Sequence, residues 1–313
     1  MKAVFMGTPE FAVPALQKLL DMGVDVAAVV TQPDKTKGRG RKLVFSPVKE
    51  LAVSRSLPVY QPVRIRRDEE FKAVLREIAP DVIVVVAFGQ IIPQDVLDIP
   101  RLGCVNVHGS LLPKYRGAAP IQWAVISGEE ETGVTTMLMD AGLDTGDILL
   151  KEETEIEPGD TAGTLSEKLS RTGAELLEKT LIGLMTGSII PQKQDDSQAG
   201  MYAKMLTKEM GEIDFSQSAA QIDRQIRGMD PWPGTYTHIN GKLLRIWDAQ
   251  LSPEVMTGAR PGSVISTGKD SFTVQTGEGA LIVSEVQLEG KKRMDAGSFL
   301  RGNRLEPGQQ LGR

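Results

Sequence analysis

Along roughly the first 190 residues the apolar positions alternate between two periods. The runs KAVFM (2–6), VDVAAVV (24–30) and VIVVVAF (82–88) read as strands. The last is apolar nearly throughout, as suits a strand covered on both faces of a parallel sheet. Residues 10–22 instead place Phe11, Leu16, Leu19 and Leu20 at helical spacing, after a turn at Gly7-Thr8-Pro9. Residues 103–108 supply a further strand, GVTTMLM (133–139) another strand-like stretch, and 118–127 and 161–185 read as helices. Strands alternating with helices predict an α/β sheet with helices on both sides.

The pattern changes after about residue 190. The stretch PQKQDDSQAG (191–200) is polar, holds nothing to bury and reads as a linker. A helical segment (217–228) follows, then short strand candidates at 235–239, 242–249, 262–266, 271–276 and 280–287. Turn signals such as Asn240-Gly241 and Gly277-Glu278-Gly279 separate them, as in a small antiparallel barrel or sandwich. The predicted organisation is an α/β domain over 1–189, a linker over 190–208 and a mostly-β domain over 209–313.

Composition narrows the function classes. A length of 313 residues favours two domains. No apolar run approaches the ~20 residues of a membrane span, and MKAVFMGTPEF reads as a first strand, not a signal peptide. One cysteine excludes an internal disulfide framework and fits a reducing, cytoplasmic compartment. With 36 Lys+Arg against 41 Asp+Glu, the net charge of −5 does not mark a nucleic-acid binder, although a local basic surface remains open. Two histidines and one cysteine cannot assemble the usual zinc sets. Gly7 alone is not a dinucleotide fingerprint, and no phosphate loop occurs. Asp140, Asp144 and Asp147 lie in a glycine-bearing loop, where carboxylates more often form turns than hold Mg²⁺.

The candidate chemistry sits in CVNVHGSLLPKYRGAAP (104–120). Asn106 and His108, two apart on a strand, project from one face at its carboxyl end, where open α/β sheets form their clefts. Both can donate to an oxyanion. Pro113 holds Leu112 extended, and Leu111 and Leu112 can wall an apolar pocket. Asp144, between Gly142 and Gly146, is a carboxylate partner expected to hydrogen-bond His108, fix its tautomer and stabilise its charged form. No nucleophile in esterase context is present, and Cys104 reads as a core filler. Such a trio suits direct transfer, with the substrate's own amine attacking.

These residues carry a resemblance. NVHGSLLPKYRGAAPIQWA followed by ETGVTTMLMDAGLDTGDIL resembles the folate-dependent formyltransferases. The resemblance implies a Rossmann-like amino-terminal domain that binds 10-formyltetrahydrofolate, with Asn106, His108 and Asp144 at the positions of the catalytic trio. It also implies a pterin pocket lined by Gln90, Ile91, Ile92, Ser110, Leu111, Leu112 and Pro113, joined by Asp140, and no metal.

The acceptor is addressed by TQPDKTKGRGRKLVFSPVKELA (31–52), where residues 35–42 hold Lys35, Lys37, Arg39, Arg41 and Lys42 with two glycines and no acid. Such a run is either a solvated loop or an arm that meets phosphates. QPDxxxGRGRKL resembles the inserted loop of the family members that act on initiator Met-tRNA, with Arg39 at the discriminating position. RGMDPWPGTYTHINGKLLRIWDA (227–249) is similar to their OB-like β-barrel, which implies tRNA contacts at Lys242 and Arg245. Residues 205–313 hold 13 Lys+Arg and 13 Asp+Glu, so a nucleic-acid surface there must be a local patch. Lys291-Lys292-Arg293 is a further candidate. Trp232 and Trp247 read as core aromatics rather than base-stacking ones. Met205 and Glu212 depart from the basic residues common at these positions in relatives. The resemblance implies a monomer. An amino-sugar-nucleotide formyltransferase and a non-catalytic tRNA-binding protein stay open as alternatives.

Overall fold

The computed structural model describes residues 1–37, 42–254 and 258–312. Contacts divide the chain into two units. One comprises Met1–Pro120, Glu131–Glu155 and Ser166–Ala203, the other Ile121–Glu130, Ile156–Leu165 and Lys204–Arg313. This division is not the linear one expected from the sequence, because two short segments of the first 189 residues belong with the second unit. Trp123 Nε1 donates to the Lys204 carbonyl (2.8 Å), the Gly163 N–H to the Asp230 carbonyl (3.0 Å) and Arg227 Nη1 to the Asp160 carbonyl (3.1 Å).

Among the described residues, the first unit holds the strands β1 (Lys2–Gly7), β2 (Asp25–Val30), β3 (Lys35–Lys37), β4 (Lys42–Val44), β5 (Val59–Tyr60), β6 (Val82–Val86), β7 (Cys104–His108), β8 (Glu131–Leu138) and β9 (Ile148–Glu155). Seven form one sheet in the order β5-β2-β1-β6-β7-β8-β9. Pairing is parallel from β5 to β7 and antiparallel from β7 to β9. β3 and β4 form a separate antiparallel hairpin. The helices of the first half are α1 (Val13–Asp21), α2 (Pro47–Ser54), α3 (Glu69–Ile78) and α4 (Gln94–Leu97), followed by α5 (Pro120–Ser127) and the 25-residue α6 (Ala162–Thr186).

Alternation on the central strands drives the packing. Val4 and Met6 of β1, Ala28 and Val30 of β2, Ile83 and Val85 of β6 and Cys104 of β7 share a core with Phe71 and Leu75 of α3 and Val96 and Leu97 of α4. Cys104 is therefore a packing residue. Burial, with the Asp98 carboxylate, pushes its thiol up to about 12, so no reactive thiolate forms at neutral pH. The hydrophobic pattern names no element between 45 and 81, where the structure adds β5, α2 and α3. Both helices start on side-chain caps: Ser46 accepts from the Lys49 N–H, and Asp68 from the Phe71 N–H. β6 stops at Val86, short of the predicted 88, because Ala87 (φ 47°) and Gly89 (φ 78°) turn the chain.

The second unit carries α7 (Ala219–Gly228), β10 (Thr235–Ile239), β11 (Lys242–Ser252), β12 (Val264–Thr267), β13 (Phe272–Gln275), β14 (Ala280–Leu288), β15 (Met294–Asp295) and α8 (Ala296–Gly302). A capping box joins Ser218 to Gln221 at the start of α7. The antiparallel sheet runs β10-β11-β14-β13-β12, with β15 on β14. Its inner face meets Ile222 and Ile226 of α7 and Phe299 of α8 in one apolar core. The two outer strands are linked through the C-terminal segment: the Val264 N–H donates to the Gln309 carbonyl and the Gly312 N–H to the His238 carbonyl. Among the described residues, no helix is long and apolar enough to cross a membrane.

Candidate active site

A buried strand that carries an amide and an imidazole must either satisfy them internally or keep them for a ligand. On β7, Asn106 is 9% and His108 6% exposed. Asn106 lies between Val85 of β6 and Met137 of β8, and His108 beside Thr135 of β8. Among the described residues, no side-chain hydrogen bond reaches the Asn106 amide, so its donors remain for an incoming group. His108 Nε2 lies 3.1 Å from the Tyr115 carbonyl. A carbonyl only accepts, so Nε2 carries the hydrogen. Nδ1 faces Asp144 Oδ2 at 3.8 Å, too far for a direct hydrogen bond.

This corrects the expected partnership. The Tyr115 carbonyl, not Asp144, holds the imidazole. The Asp144 carboxylate, 12% exposed, takes its hydrogen bond from the Gly117 N–H (2.9 Å). Tyr115 (φ 57°) and Gly117 (φ 124°) both lie in the left-handed region, so the loop after β7 doubles back and presents a carbonyl to His108 and an N–H to Asp144. A Cβ at Gly117 would also meet the Ala203 carbonyl at 2.6 Å.

Asp144 comes from the loop joining β8 to β9. β8 is antiparallel to β7, and Leu138 ends it beside Val105. The loop must run back along the sheet to bring Asp144 to His108. The glycines read from sequence serve this path: a Cβ at Gly146 would lie 1.7 Å from the Leu138 carbonyl oxygen. Asp140 braces the same loop, accepting from the Gly142 N–H (3.0 Å) and from Thr145 Oγ1 (2.8 Å). Its carboxylate is thus engaged in a turn, as loop carboxylates usually are. Among the described residues, no group of three or more His, Cys, Asp or Glu is placed to hold a metal.

The residues expected around a pterin divide by what they can offer. Ile91 is exposed, but Ile92 packs in the core with α3 and α4. Gln90 spends its amide on the 62–65 segment, accepting from the Ile65 N–H (2.8 Å) and donating to the Pro62 carbonyl (2.9 Å). Leu112 is fully buried against Met137 and Ile148, so it supports the loop and does not wall a pocket with its side chain. Its N–H donates to Thr135 Oγ1, which donates in turn to the Ser110 carbonyl. Ser110 Oγ is committed to the Lys114 carbonyl (2.7 Å), and Pro113 is buried behind a cis peptide. Leu111, half-buried, reaches over Gly133 of β8. Buried side chains here stiffen the loop, and its backbone is the part left to meet a planar ring.

The basic stretch begins as the β3–β4 hairpin, with Lys35 opposite Val44 and Lys37 opposite Lys42. Lys35 is exposed. Arg39 and Arg41 lie outside the described residues, as do the side chains of Lys37 and Lys42. The hairpin's base is held by a network not anticipated from sequence. Lys49 pairs with Asp34, donates to Gln61 Oε1 (2.8 Å) and sits 4.2 Å from the centre of the Phe45 ring. Burial alone would raise the Asp34 carboxyl, but the hydrogen bonds from Lys49 and Gln61 outweigh it and hold the group below its ordinary 3.8. A depressed carboxylate stabilises the fold above its unfolded value and loses that stabilisation as pH falls through its folded value. Asp34→Asn should therefore be less stable than the parent at pH 7, with the gap closing below about pH 4. Urea denaturation between pH 2.5 and 7 checks this, and a gap that stays constant counts against the pair.

In the second unit, Lys242 is exposed at the start of β11, whereas Arg245 donates to the Pro233 carbonyl (2.7 Å). Arg293 pairs with Asp230 and Glu285 and lies over the Trp247 ring at 4.8 Å, and Trp247 Nε1 donates to Gln287. Trp247 is thus covered, while Trp232 is 51% exposed and not the core residue expected.

The family model described as Formyl transferase matches residues 1–181, and the one described as Formyl transferase, C-terminal domain matches residues 205–304. A protein of Lachnospira eligens named methionyl-tRNA formyltransferase is 58% identical over 316 residues, 100% of both chains. Its namesake in Geobacter sulfurreducens is 51% identical over 312 residues, 100% of this chain and 97% of that one. Among solved structures, the sugar 3N-formyl transferase WlaRD, crystallised with dTDP and 5-N-formyl-THF, superposes with a TM-score of 0.68 at 23% identity, covering 93% of this chain and 99% of that one. HypX of Aquifex aeolicus, in complex with tetrahydrofolic acid, gives a TM-score of 0.64 at 17% identity. There the match covers 96% of this chain and 47% of HypX.

Proposed function

The chain belongs to the formyl transferase family, and on that premise we propose how its cleft works and what it takes as donor and acceptor. It is an enzyme that formylates the α-amine of methionine esterified to tRNA. The observation that carries this is identity of 58% and 51%, over the full length, to relatives named methionyl-tRNA formyltransferase. A sugar-nucleotide acceptor is not favoured, since the sugar formyltransferases resemble this chain at 23% identity, a likeness of fold alone.

The donor is a folate, and we assign 10-formyltetrahydrofolate as its form. The methionyl amine attacks the formyl carbon, and the carbonyl electrons move onto oxygen. The C–N10 bond then breaks, N10 takes up a proton and the amine gives one up. Asn106 Nδ2 and His108 donate to the developing oxyanion. With Nε2 committed to Tyr115, the nitrogen facing Asp144 is Nδ1. Nδ1 donates only when both ring nitrogens carry hydrogens. At 3.8 Å from Nδ1 the Asp144 carboxylate stabilises the charged imidazole through space and stands beside it to receive the amine's proton through water. The backbone of 90–92 and 110–113 meets the pterin edge.

The residues assigned to tRNA phosphates are Lys35, Lys37, Arg39, Arg41 and Lys42 of the basic stretch, and separately Lys242 and Arg245 of the second unit. The Arg245 contact requires its guanidinium to keep or exchange the Pro233 carbonyl. Initiator tRNA is the acceptor class, read by Arg39. Formyl-Met-tRNA on acid–urea gels, with charged elongator tRNA as control, tests the whole reading. Failure to formylate either tRNA would overturn it. Arg39→Ala should raise KM for initiator tRNA about 5- to 150-fold, as loss of a contact worth ~1–3 kcal/mol implies, and leave folate binding unchanged. Equal losses toward both substrates would remove the arm from acceptor recognition.

A further inference from the structure

The polar stretch 191–200 has no hydrophobic reason to be ordered, yet one of its side chains reaches the site. Among residues 191–198, Gln194 is half-buried and the others are exposed. Its Nε2 donates to the carbonyls of Asp144 (2.9 Å) and Gly146 (2.8 Å). Its Oε1 accepts from Arg116 Nε (3.0 Å) and Nη2 (2.8 Å). All of its amide's hydrogen-bonding capacity is thereby used. Arg116 stands between Tyr115, whose carbonyl holds His108, and Gly117, whose N–H holds Asp144. One amide therefore couples the Asp144 loop to the loop that carries both contacts of the catalytic pair. The segment is further fixed by the Gln192–Ile148 backbone pair and by the Ala203 N–H on the Arg116 carbonyl. Arg116 also pairs with Asp196, but that carboxylate is 85% exposed and adds little.

We propose that Gln194 is a positioning residue for formyl transfer, setting the distance of the Asp144 carboxylate from His108 through the carbonyls of residues 144 and 146. This rests on the reading of Asp144 as part of the catalytic trio. Glutamine is suited to the task because it donates twice and accepts twice without charge. Gln194→Glu keeps the acceptor for Arg116 but turns a carboxylate oxygen on two carbonyls, so the 144–146 loop is pushed off while the Arg116 pair survives. A displacement of a fraction of an ångström at a reacting group costs about 10- to 30-fold in rate, given that about 1 Å can cost a hundredfold.

The test is a double-mutant cycle under single-turnover conditions with formyl donor and charged initiator tRNA, on full-length protein. Gln194→Glu should lower the rate about 10- to 30-fold, with KM for the donor unchanged and the protein still folded. In an Asp144→Asn background the same substitution should have almost no further effect, because the group it positions is already lost. A merely structural fastening of the segment would give the same fold-loss in both backgrounds, and that result overturns the proposal. Gln194→Met, which removes both sets of hydrogen bonds without adding charge, should behave as Gln194→Glu. Parent-like rates in both variants overturn the proposal alone if Asp144→Asn is impaired. Full activity of Asp144→Asn overturns the trio and this inference together.

Discussion

Formylation of Met-tRNA by a His108→Ala variant is expected to run about 100- to 1,000-fold slower than in the parent, a loss of about 2.7–4 kcal/mol in transition-state stabilisation. His108 is buried on β7, its Nε2 is anchored on the Tyr115 carbonyl, and its other nitrogen faces the space in front of Asp144. A donor held this way needs no reorganisation when charge appears on the formyl oxygen. Because that charge exists only in the transition state, the loss should fall on kcat, with the dissociation constant of the folate donor little changed. Asn106→Ala should lose a similar factor. Stopped-flow or quenched formylation at saturating donor measures both, and losses below tenfold would remove these side chains from the oxyanion site. A wholesale fold defect is distinguished by retained folate binding.

Gly146→Ala should be nearly as damaging, although it adds a single methyl group. The new Cβ would lie 1.7 Å from the Leu138 carbonyl oxygen. Neither atom is the end of a flexible side chain, so the backbone must separate by roughly 1.5 Å or more to reach ordinary contact. The segment that moves carries Asp144, and a misplacement of about 1 Å at a reacting group costs on the order of a hundredfold. We expect at least that loss in turnover, with a folded protein and donor binding intact. Gly142→Ala provides a graded comparison, because its nearest obstacle is the Thr145 hydroxyl, a side chain able to rotate. Parent-like turnover in Gly146→Ala would mean that the loop's path does not govern the reaction.

The parallel core of the first unit was legible because β1, β2 and β6 are apolar on both faces, a pattern that sheet burial alone produces. α3 lies outside that pattern although Phe71, Leu75 and Ile78 follow helical spacing, and β9 is not legible for a physical reason. It is the outermost strand, buried only at its start, so no alternation marks it. Residues 121–130 and 156–165 belong with the second unit through contacts distant in sequence, among them the hydrogen bond from Arg227 to the Asp160 carbonyl, which local pattern cannot foresee.

For the site, the same contrast holds residue by residue. Asn106 and His108 could be paired from the chain alone, since strand geometry is local and puts residues two apart on one face. The need for glycine around Asp144 was likewise readable, as a loop approaching other backbone. Which group holds His108 was not, and neither was the role of Gln194. The partners are the carbonyls of Tyr115, Asp144 and Gly146 and the N–H of Gly117. Every residue carries such groups, so side-chain identity says nothing of which will be used. That choice is made when the loops after β7 and β8 and the polar segment at 192–203 fold against one another.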